Sequence, residues 1–316
     1  MIGNLLGFLV LVAIAVLFGW LVFRAWRAKN AIVKWGGVAL SGLLTLLLAL
    51  ASVVALIGLV KLYGPRGNPV RDLTIAGTPE QIARGEHIAG AVCAGCHTTN
   101  EELPLSGGKN LSDEAGLPLG NLTPANLTPA GALKDWSDGE ILRAIREGAD
   151  PRGRLLVVMT TQHFREFSEV DIQAVIAYLR SQPAIPNDVP EENPSLLAVF
   201  FIGAGLIPLP PAPTTDPVAA PPPGPTVEYG RYTAGYVGCS DCHGADLTGS
   251  AGGLGPAGPS LRVVKSWTLE QFITTLRTGV DPNGHALDSK QMRWKFIGRL
   301  DDEELAAVYA YLNSLP

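Results

Sequence analysis

Two short stretches decide how this chain folds: Cys93-Ala-Gly-Cys96-His97 and Cys239-Ser-Asp-Cys242-His243. Two thiols at this spacing can each form a thioether with one vinyl group of a haem, and the adjacent histidine can ligate the iron from the same turn. A single Cys-x-x-Cys would also suit a redox or zinc motif, but two copies followed directly by histidine favour haem. The motifs use all four cysteines of the chain. The sequence therefore predicts two covalently attached c-type haems.

The chain has two methionines besides the start residue, and these are the candidates for the second axial ligands. Met159 and Met292 each follow a haem motif and stand in the same register before an identical Ala-Tyr-Leu. A lone methionine is usually a flexible core residue, but two in matching register favour thioether ligation. His163 could replace Met159, yet its counterpart in the second half is Phe296. The expected iron ligands are His97, Met159, His243 and Met292.

The similarity between the two halves extends over residues 136–153 and 267–284. Two residue pairs in these ranges have the spacing of helix capping boxes: Ser137 with Glu140, and Thr268 with Gln271. Apolar residues then recur at helical intervals, and Gly148 and Gly279 stand where the helix should end. Further caps precede the neighbouring helices: Thr78 with Gln81, Ser168 and Asp301. Each half is expected to fold as three or four short helices around one haem, without strands.

Two arginines, Arg146 and Arg277, occupy matching positions in the repeat. A guanidinium group can pair with a haem propionate through a bidentate contact, so both residues are candidates for haem binding. A solvated helix face explains the same pattern equally well.

On these residues, each half resembles a class I c-type cytochrome domain, over residues 78–182 and 228–316. The chain is similar to the membrane-associated multihaem cytochrome c subunits of bacterial alcohol and gluconate dehydrogenases. In the first half the resemblance is carried by the haem motif together with Asn126-Leu-Thr-Pro129, Trp136-Ser-Asp, Arg146-x-Gly148, Met159 and Ala177-Tyr178-Leu179. Such subunits usually have three haem domains and a proline after the axial methionine, whereas this chain has two domains, with Thr160 and Arg293 at those positions. The resemblance implies that haem is attached outside the cytoplasm.

Residues 1–63 contain two apolar runs, 2–23 and 31–62, and each exceeds the roughly 20 residues needed to cross a bilayer. A cleaved signal peptide is the alternative for the first run, but no basic residue precedes it. The connecting region is basic, which favours a cytoplasmic loop: Arg24, Arg27, Lys29 and Lys34. We therefore expect a two-pass anchor in the cytoplasmic membrane, with both termini and the haem domains on the extracytoplasmic (periplasmic) side.

The expected domain organisation follows from these segments. The anchor at 1–63 precedes a first cytochrome c domain at 76–185 and a second at 227–316. Between them, residues 186–226 hold a short apolar segment and a Pro-rich linker, which is typical of an extended spacer. The apolar segment at 196–207 is too short to span a bilayer comfortably and should pack on a haem domain or rest at the membrane surface.

The expected function is electron transfer. His/Met ligation leaves no open coordination site, so a non-catalytic role is favoured. Donor and acceptor would be a quinol- or substrate-oxidising membrane complex and a soluble carrier or terminal oxidase. A dihaem subunit of a haem-copper oxidase is one alternative, and a dihaem enzyme such as a peroxidase or a thiosulfate-oxidising cytochrome is another. The formal charge of −5 and the lack of a basic run argue against a nucleic-acid partner.

Overall fold

The computed structural model of the chain describes residues 1–64, 69–159, 164–207, 217–252 and 257–316. These ranges are mostly helical, as the sequence predicts. The helices are α1 (Ile2–Trp26), α2 (Ala31–Tyr63), α3 (Pro79–Val92), α4 (Ala94–His97), α5 (Leu111–Glu114), α6 (Asp138–Glu147), α7 (Glu169–Ser181), α8 (Leu196–Gly203), α9 (Val227–Tyr236), α10 (Cys239–His243), α11 (Leu269–Thr278), α12 (Trp294–Ile297) and α13 (Asp302–Ser314). Two 3₁₀ turns lie at Phe164–Glu166 and Leu261–Ser266.

The first two helices form an antiparallel hairpin, long and apolar enough to cross a membrane by length and composition. The Asn30 side chain caps α2 by accepting hydrogen bonds from the backbone N–H groups of the first turn. At the opposite end, Asn4 in α1 donates to the hydroxyl of Tyr63 at 3.0 Å and to the carbonyl oxygen of Pro194 at 2.8 Å. The outer ends of both helices therefore lie beside the same segment of the chain that follows.

The two halves of the remaining chain repeat one arrangement of helices. In each, the first and last helices cross: α3 packs on α7, and α9 packs on α13. The crossings are close because a glycine faces a backbone carbonyl. A Cβ on Gly85 would lie 1.9 Å from the Ala174 oxygen, and one on Gly230 would lie 1.8 Å from the Ala307 oxygen. Only glycine allows this approach, so both crossings depend on the same residue type.

The predicted helix starts and stops are confirmed. Full capping boxes are present at the starts of α3, α6, α11 and α13, and Ser168 caps α7. The helices α6 and α11 end at Gly148 and Gly279, both in the left-handed conformation. Each cap satisfies backbone N–H groups that the first helical turn leaves unpaired.

One pair of short strands departs from the expectation of a fold without strands. Strand β1 (Gly120–Asn121) pairs antiparallel with β2 (Asn193–Pro194), which ties the segment after α7 back onto the first half. Directly after β2, helix α8 packs on α2 and shares a buried cluster with Leu62, Leu119 and Leu155. The apolar segment at 196–207 therefore packs on the first half, which is the first of the two placements expected from the sequence. It also packs on the hairpin.

The two halves share one continuous hydrophobic core. At their contact the rings of Phe167 and Tyr236 stack, with centroids 4.9 Å apart and planes 18° apart. Beside them the buried carboxylate of Glu304 in α13 accepts from Arg84 in α3 at 2.6 Å and lies 2.6 Å from Nε2 of His87. The second half is thereby held against the first helix of the first half.

Candidate haem sites

A cavity of about 1070 Å³ opens in the first half, at the upper end of the roughly 300–1,000 Å³ usual for ligand sites. Its walls are mostly apolar and include helix residues from α3, α6 and α7. The lining brings together all four residues predicted to hold the first haem. These are the attachment cysteines, Cys93 and Cys96, and the expected iron ligands, His97 and Met159. A large apolar cavity with two thiols, an imidazole and a thioether in its wall fits a c-type haem.

The two motif histidines make the same backbone contact. Nδ1 of His97 lies 2.8 Å from the carbonyl oxygen of Ala125, and Nδ1 of His243 lies 2.7 Å from that of Pro259. Because a carbonyl oxygen only accepts, Nδ1 carries the proton in each ring and the lone pair of Nε2 is left available. This is how outer contacts fix the tautomer and orientation of a metal-binding histidine. Neither carbonyl oxygen can be predicted from the sequence, because every residue has one.

Burial keeps the thiols in their neutral form. It raises the pKa of Cys93 and of Cys239 to about 12, and it also raises the pKa of Cys96 and Cys242. Burial lowers the pKa of His97, which keeps its imidazole neutral. Reactive cysteines have depressed pKa values, so the shift of these four thiols is in the opposite direction.

The two methionines both pack at the margin of the shared core. Met159 also lines the cavity of the first half, together with the motif residues. Met292 lies two residues before α12, and its backbone N–H donates to the carbonyl oxygen of Asp288 at 2.9 Å. The alternative ligand His163 lies outside the described residues.

The paired arginines tie each domain to the segment after its methionine. Nη2 of Arg146 donates to the carbonyl of Phe167 at 3.3 Å, and Nη2 of Arg277 donates to the equivalent carbonyl of Leu300 at 2.8 Å and to Asp302 at 2.9 Å. Arg146 is buried, so the solvated helix face is wrong for that residue. Neither arginine is among the residues that line the cavity in the described part of the chain. A propionate contact for the pair remains a prediction.

Two other arginines do line the cavity and were missed by the sequence analysis. Arg152 and Arg154 lie on a turn centred on Asp150, whose carboxylate is 3.1 Å from Arg152 and 3.3 Å from Arg154. Their guanidinium groups can hold haem propionates. The available signal was the Asp-Pro-Arg-Gly-Arg run at 150–154. Unlike Arg146, these two arginines are not repeated, because the second half has Asn283 and His285 at the matching positions.

A strap formed by residues 185–194 lies against the same cavity, and its residues 186–192 supply part of the lining. The Asn126 side chain donates to the carbonyl oxygens of Ile185 and Asn187 at 2.9 and 3.1 Å. Near the other end of the strap, the carboxylate of Glu192 accepts from the backbone N–H of Val157 at 3.0 Å. The strap thus contacts the loop that carries Met159, within a segment that the sequence analysis assigned to the linker.

Comparison with known families agrees with this geometry. Residues 230–316 match the family described as cytochrome c. Residues 80–179 match the family described as cytochrome c oxidase, cbb3-type, subunit III. The two matches cover the two halves in which the structure repeats its helices.

Three relatives extend the comparison. A nicotinate dehydrogenase subunit of Pseudomonas putida is 29% identical over 74% of this chain. The cytochrome c subunit of a quinone alcohol dehydrogenase of Gluconacetobacter polyoxogenes is 28% identical over 37% of it, and the fructose dehydrogenase cytochrome subunit of Gluconobacter japonicus is 30% identical over 31%. The matched regions span only 21%, 28% and 23% of those relatives.

Proposed function

Since this chain is a c-type cytochrome that transfers electrons, we propose that it is the dihaem, membrane-anchored electron-transfer subunit of a dehydrogenase complex. The observation that carries the proposal is the repeated histidine geometry: in both halves a backbone carbonyl holds Nδ1 and leaves Nε2 for iron. A bound haem supplies a one-electron iron couple, while the chain supplies attachment, orientation and burial.

Each haem has four residues of its own in this proposal. Cys93 and Cys96 attach the first haem, and His97 and Met159 ligate its iron. The second set is Cys239, Cys242, His243 and Met292. A histidine and a methionine together complete the coordination of the iron, which favours electron transfer over reaction with oxygen or peroxide.

The hairpin supports membrane anchoring. Its apolar side chains are mostly uncovered by the rest of the described chain: within the most apolar stretch of each helix, 6% and 11% of residues are buried. Such a large apolar surface needs lipid or another protein to cover it. The contacts of Asn4 with Tyr63 and Pro194 support a topology in which the outer ends of the hairpin lie on the same side as the haem domains. Because the resemblance implies haem attachment outside the cytoplasm, we place that side, with both termini, on the extracytoplasmic face.

A dehydrogenase is the partner that the relatives favour, because their names are those of a nicotinate dehydrogenase subunit and of the cytochrome subunits of an alcohol and a fructose dehydrogenase. Electrons would enter from that partner and leave to a soluble carrier or a terminal oxidase. A second candidate is the cytochrome subunit of a haem-copper oxidase, favoured by the family match of residues 80–179.

Purification of the native complex in mild detergent tests both parts of the proposal. We expect two covalently bound haems per chain, low-spin spectra with a methionine–iron band in the oxidised state, and a copurifying dehydrogenase. Copurification with a copper-containing oxidase would select the second candidate. A high-spin haem that binds carbon monoxide in the native protein would contradict electron transfer as the sole role.

A further inference from the structure

The segment after Met292 docks directly on the first haem motif. A Cβ on Gly95, between the two cysteines of that motif, would lie 2.7 Å from Nη2 of Arg293 and 3.4 Å from the ring of Phe296. The same guanidinium donates to the carbonyl oxygen of Val92, just before Cys93, at 3.4 Å. The arginine that replaces the usual proline after the axial methionine therefore reaches the motif of the other domain.

The second haem motif lies on the other side of this arginine. Val92, Gly238, Asp241, Arg293 and Phe296 line one narrow cleft between the domains, and Gly238 and Asp241 belong to the turn that carries Cys239 and Cys242. One fixed charge thus lies within electrostatic reach of both attachment turns.

We propose that Arg293 tunes both haems from the domain interface, raising the reduction potential of each by placing one positive charge between them. The inference rests on the proposed dihaem function. Reduction adds one electron to an iron and removes one positive charge from that haem. A nearby cation therefore destabilises the oxidised state more than the reduced state, and it does so strongly where water is excluded.

The surroundings of Arg293 point to this residue in particular. Asp241 lines the same cleft and carries the opposite charge. Arg299 is a matched control: it also donates to backbone carbonyls of the first domain, at Gly90 and Glu101, with distances of 2.9 and 2.7 Å. Arg299 is not among the described residues that line this cleft, and its charge faces Glu102 at 3.6 Å, so its effect on the haems should be smaller.

Spectroelectrochemical titration of the full-length, haem-loaded protein tests the proposal in R293Q, R293K and R299Q. We expect R293Q to lower both midpoint potentials, R293K to stay near wild type because the charge is kept, and R299Q to change them less than R293Q. Unchanged potentials in R293Q, or a shift at only one haem, would overturn the inference.

If R293Q does not accumulate, a second variant tests the same proposal. D241N removes the negative charge that opposes Arg293 and should raise the potential of the second haem. If that potential does not change, charges in this cleft do not reach the haems and the proposal is wrong. The proposed function is judged separately, by the haem content and low-spin spectrum of the wild-type protein before any variant is titrated.

Discussion

The two motif histidines, which are the proposed iron ligands, illustrate how much single residues contribute to this protein. Each lies in a short helix, α4 or α10, that begins within its own haem motif, and each is held by a carbonyl from a later loop. The residue types supply the ligand atoms. The loops supply the proton acceptor that leaves the correct ring nitrogen for the metal.

At this scale we expect each axial methionine to control one haem. Met159→Ala and Met292→Ala should each lower the potential of one haem and open it to carbon monoxide, because the thioether ligand is lost. Carbon monoxide difference spectra and potentiometry on the single and double variants measure this. Two low-spin haems that stay inert to carbon monoxide in the double variant would show that other residues are the ligands.

Glu192 should position the loop of Met159 through its carboxylate. Replacing it with alanine removes the acceptor for the backbone N–H of Val157, a loss that costs about 1–3 kcal/mol for a buried donor. The methionine–iron band of the first haem should then disappear at a lower temperature than in wild type, while the second haem is unaffected. Glu192→Gln keeps an acceptor oxygen and serves as the control. Equal losses in both variants, or none in either, would contradict this role.

At the scale of whole elements, close helix contacts hold the molecule together. The contact of α8 with α2 relies on Gly58, where a Cβ would lie 1.9 Å from the carbonyl oxygen of Val199. Gly203 approaches Val54 in the same way, also at 1.9 Å. These contacts connect the hairpin to α8, the helix that follows the strap.

Gly58→Ala should therefore separate α8 from α2. Forcing a methyl group into this contact should cost about 1–3 kcal/mol, and residues 196–207 should become more sensitive to protease in detergent. Gly42→Ala is the matched control, since a Cβ at Gly42 in the same helix meets nothing within 4 Å. If the two variants are cleaved at the same rate, the helix contact does not matter to this region.

At the scale of the whole molecule, an ion network joins the two domains. Glu304 is buried, which opposes its ionisation, but hydrogen bonds from His87 and Arg84 hold the pKa of its carboxyl at about 2. The hydrogen bond with Glu304 in turn raises the pKa of His87 above its ordinary value, with Asp301 adding to the rise and Arg84 and burial opposing it. Arg84 is also bound to Asp171 of its own domain, at 2.9 Å.

The network predicts how stability changes with pH. A histidine whose pKa is raised by folding contributes stability below its unfolded value near 6.5, and that contribution is lost as the pH rises through the raised value. The contribution of Glu304 to stability stays constant over this pH range. Its carboxyl has a pKa of about 2 in the folded protein and an ordinary value of 4.5, so it is ionised in both states. The denaturation midpoint of the full protein should thus fall as the pH rises above about 6.5 and through the raised pKa of His87, and His87→Gln should flatten this fall. The same slope in both proteins would assign the effect to other groups.

Membrane topology belongs to the same scale. We expect replacement of residues 1–63 by a cleavable export signal to release a soluble, red protein with both haems attached. The same deletion without a signal should leave four free thiols, since the haem would not be attached. Protease added outside sealed spheroplasts should cut the haem domains and spare the loop around Arg27. Protected haem domains with a cleaved loop would reverse the orientation and the proposed role.

The sequence alone determined most of the local chemistry of this protein. The haem motifs, the matching methionines, the helix caps and the two apolar runs are all patterns of short range. Physical rules connect such patterns directly to thioether formation, helix ends and apolar helices of membrane-spanning length. For that reason the fold class, the helix boundaries at Gly148 and Gly279, and the cytochrome resemblance were predictable without any tertiary structure.

Only the tertiary structure decided which distant groups meet. The carbonyls of Ala125 and Pro259, the strap against the cavity and the approach of Arg293 to Gly95 join residues far apart in the chain. Backbone carbonyls are identical at every position, so no residue type marks the one that will hold a histidine. Likewise, the glycine between two cysteines looks like a free choice until another domain packs against it. Contacts of this kind arise from packing, which local sequence patterns do not encode.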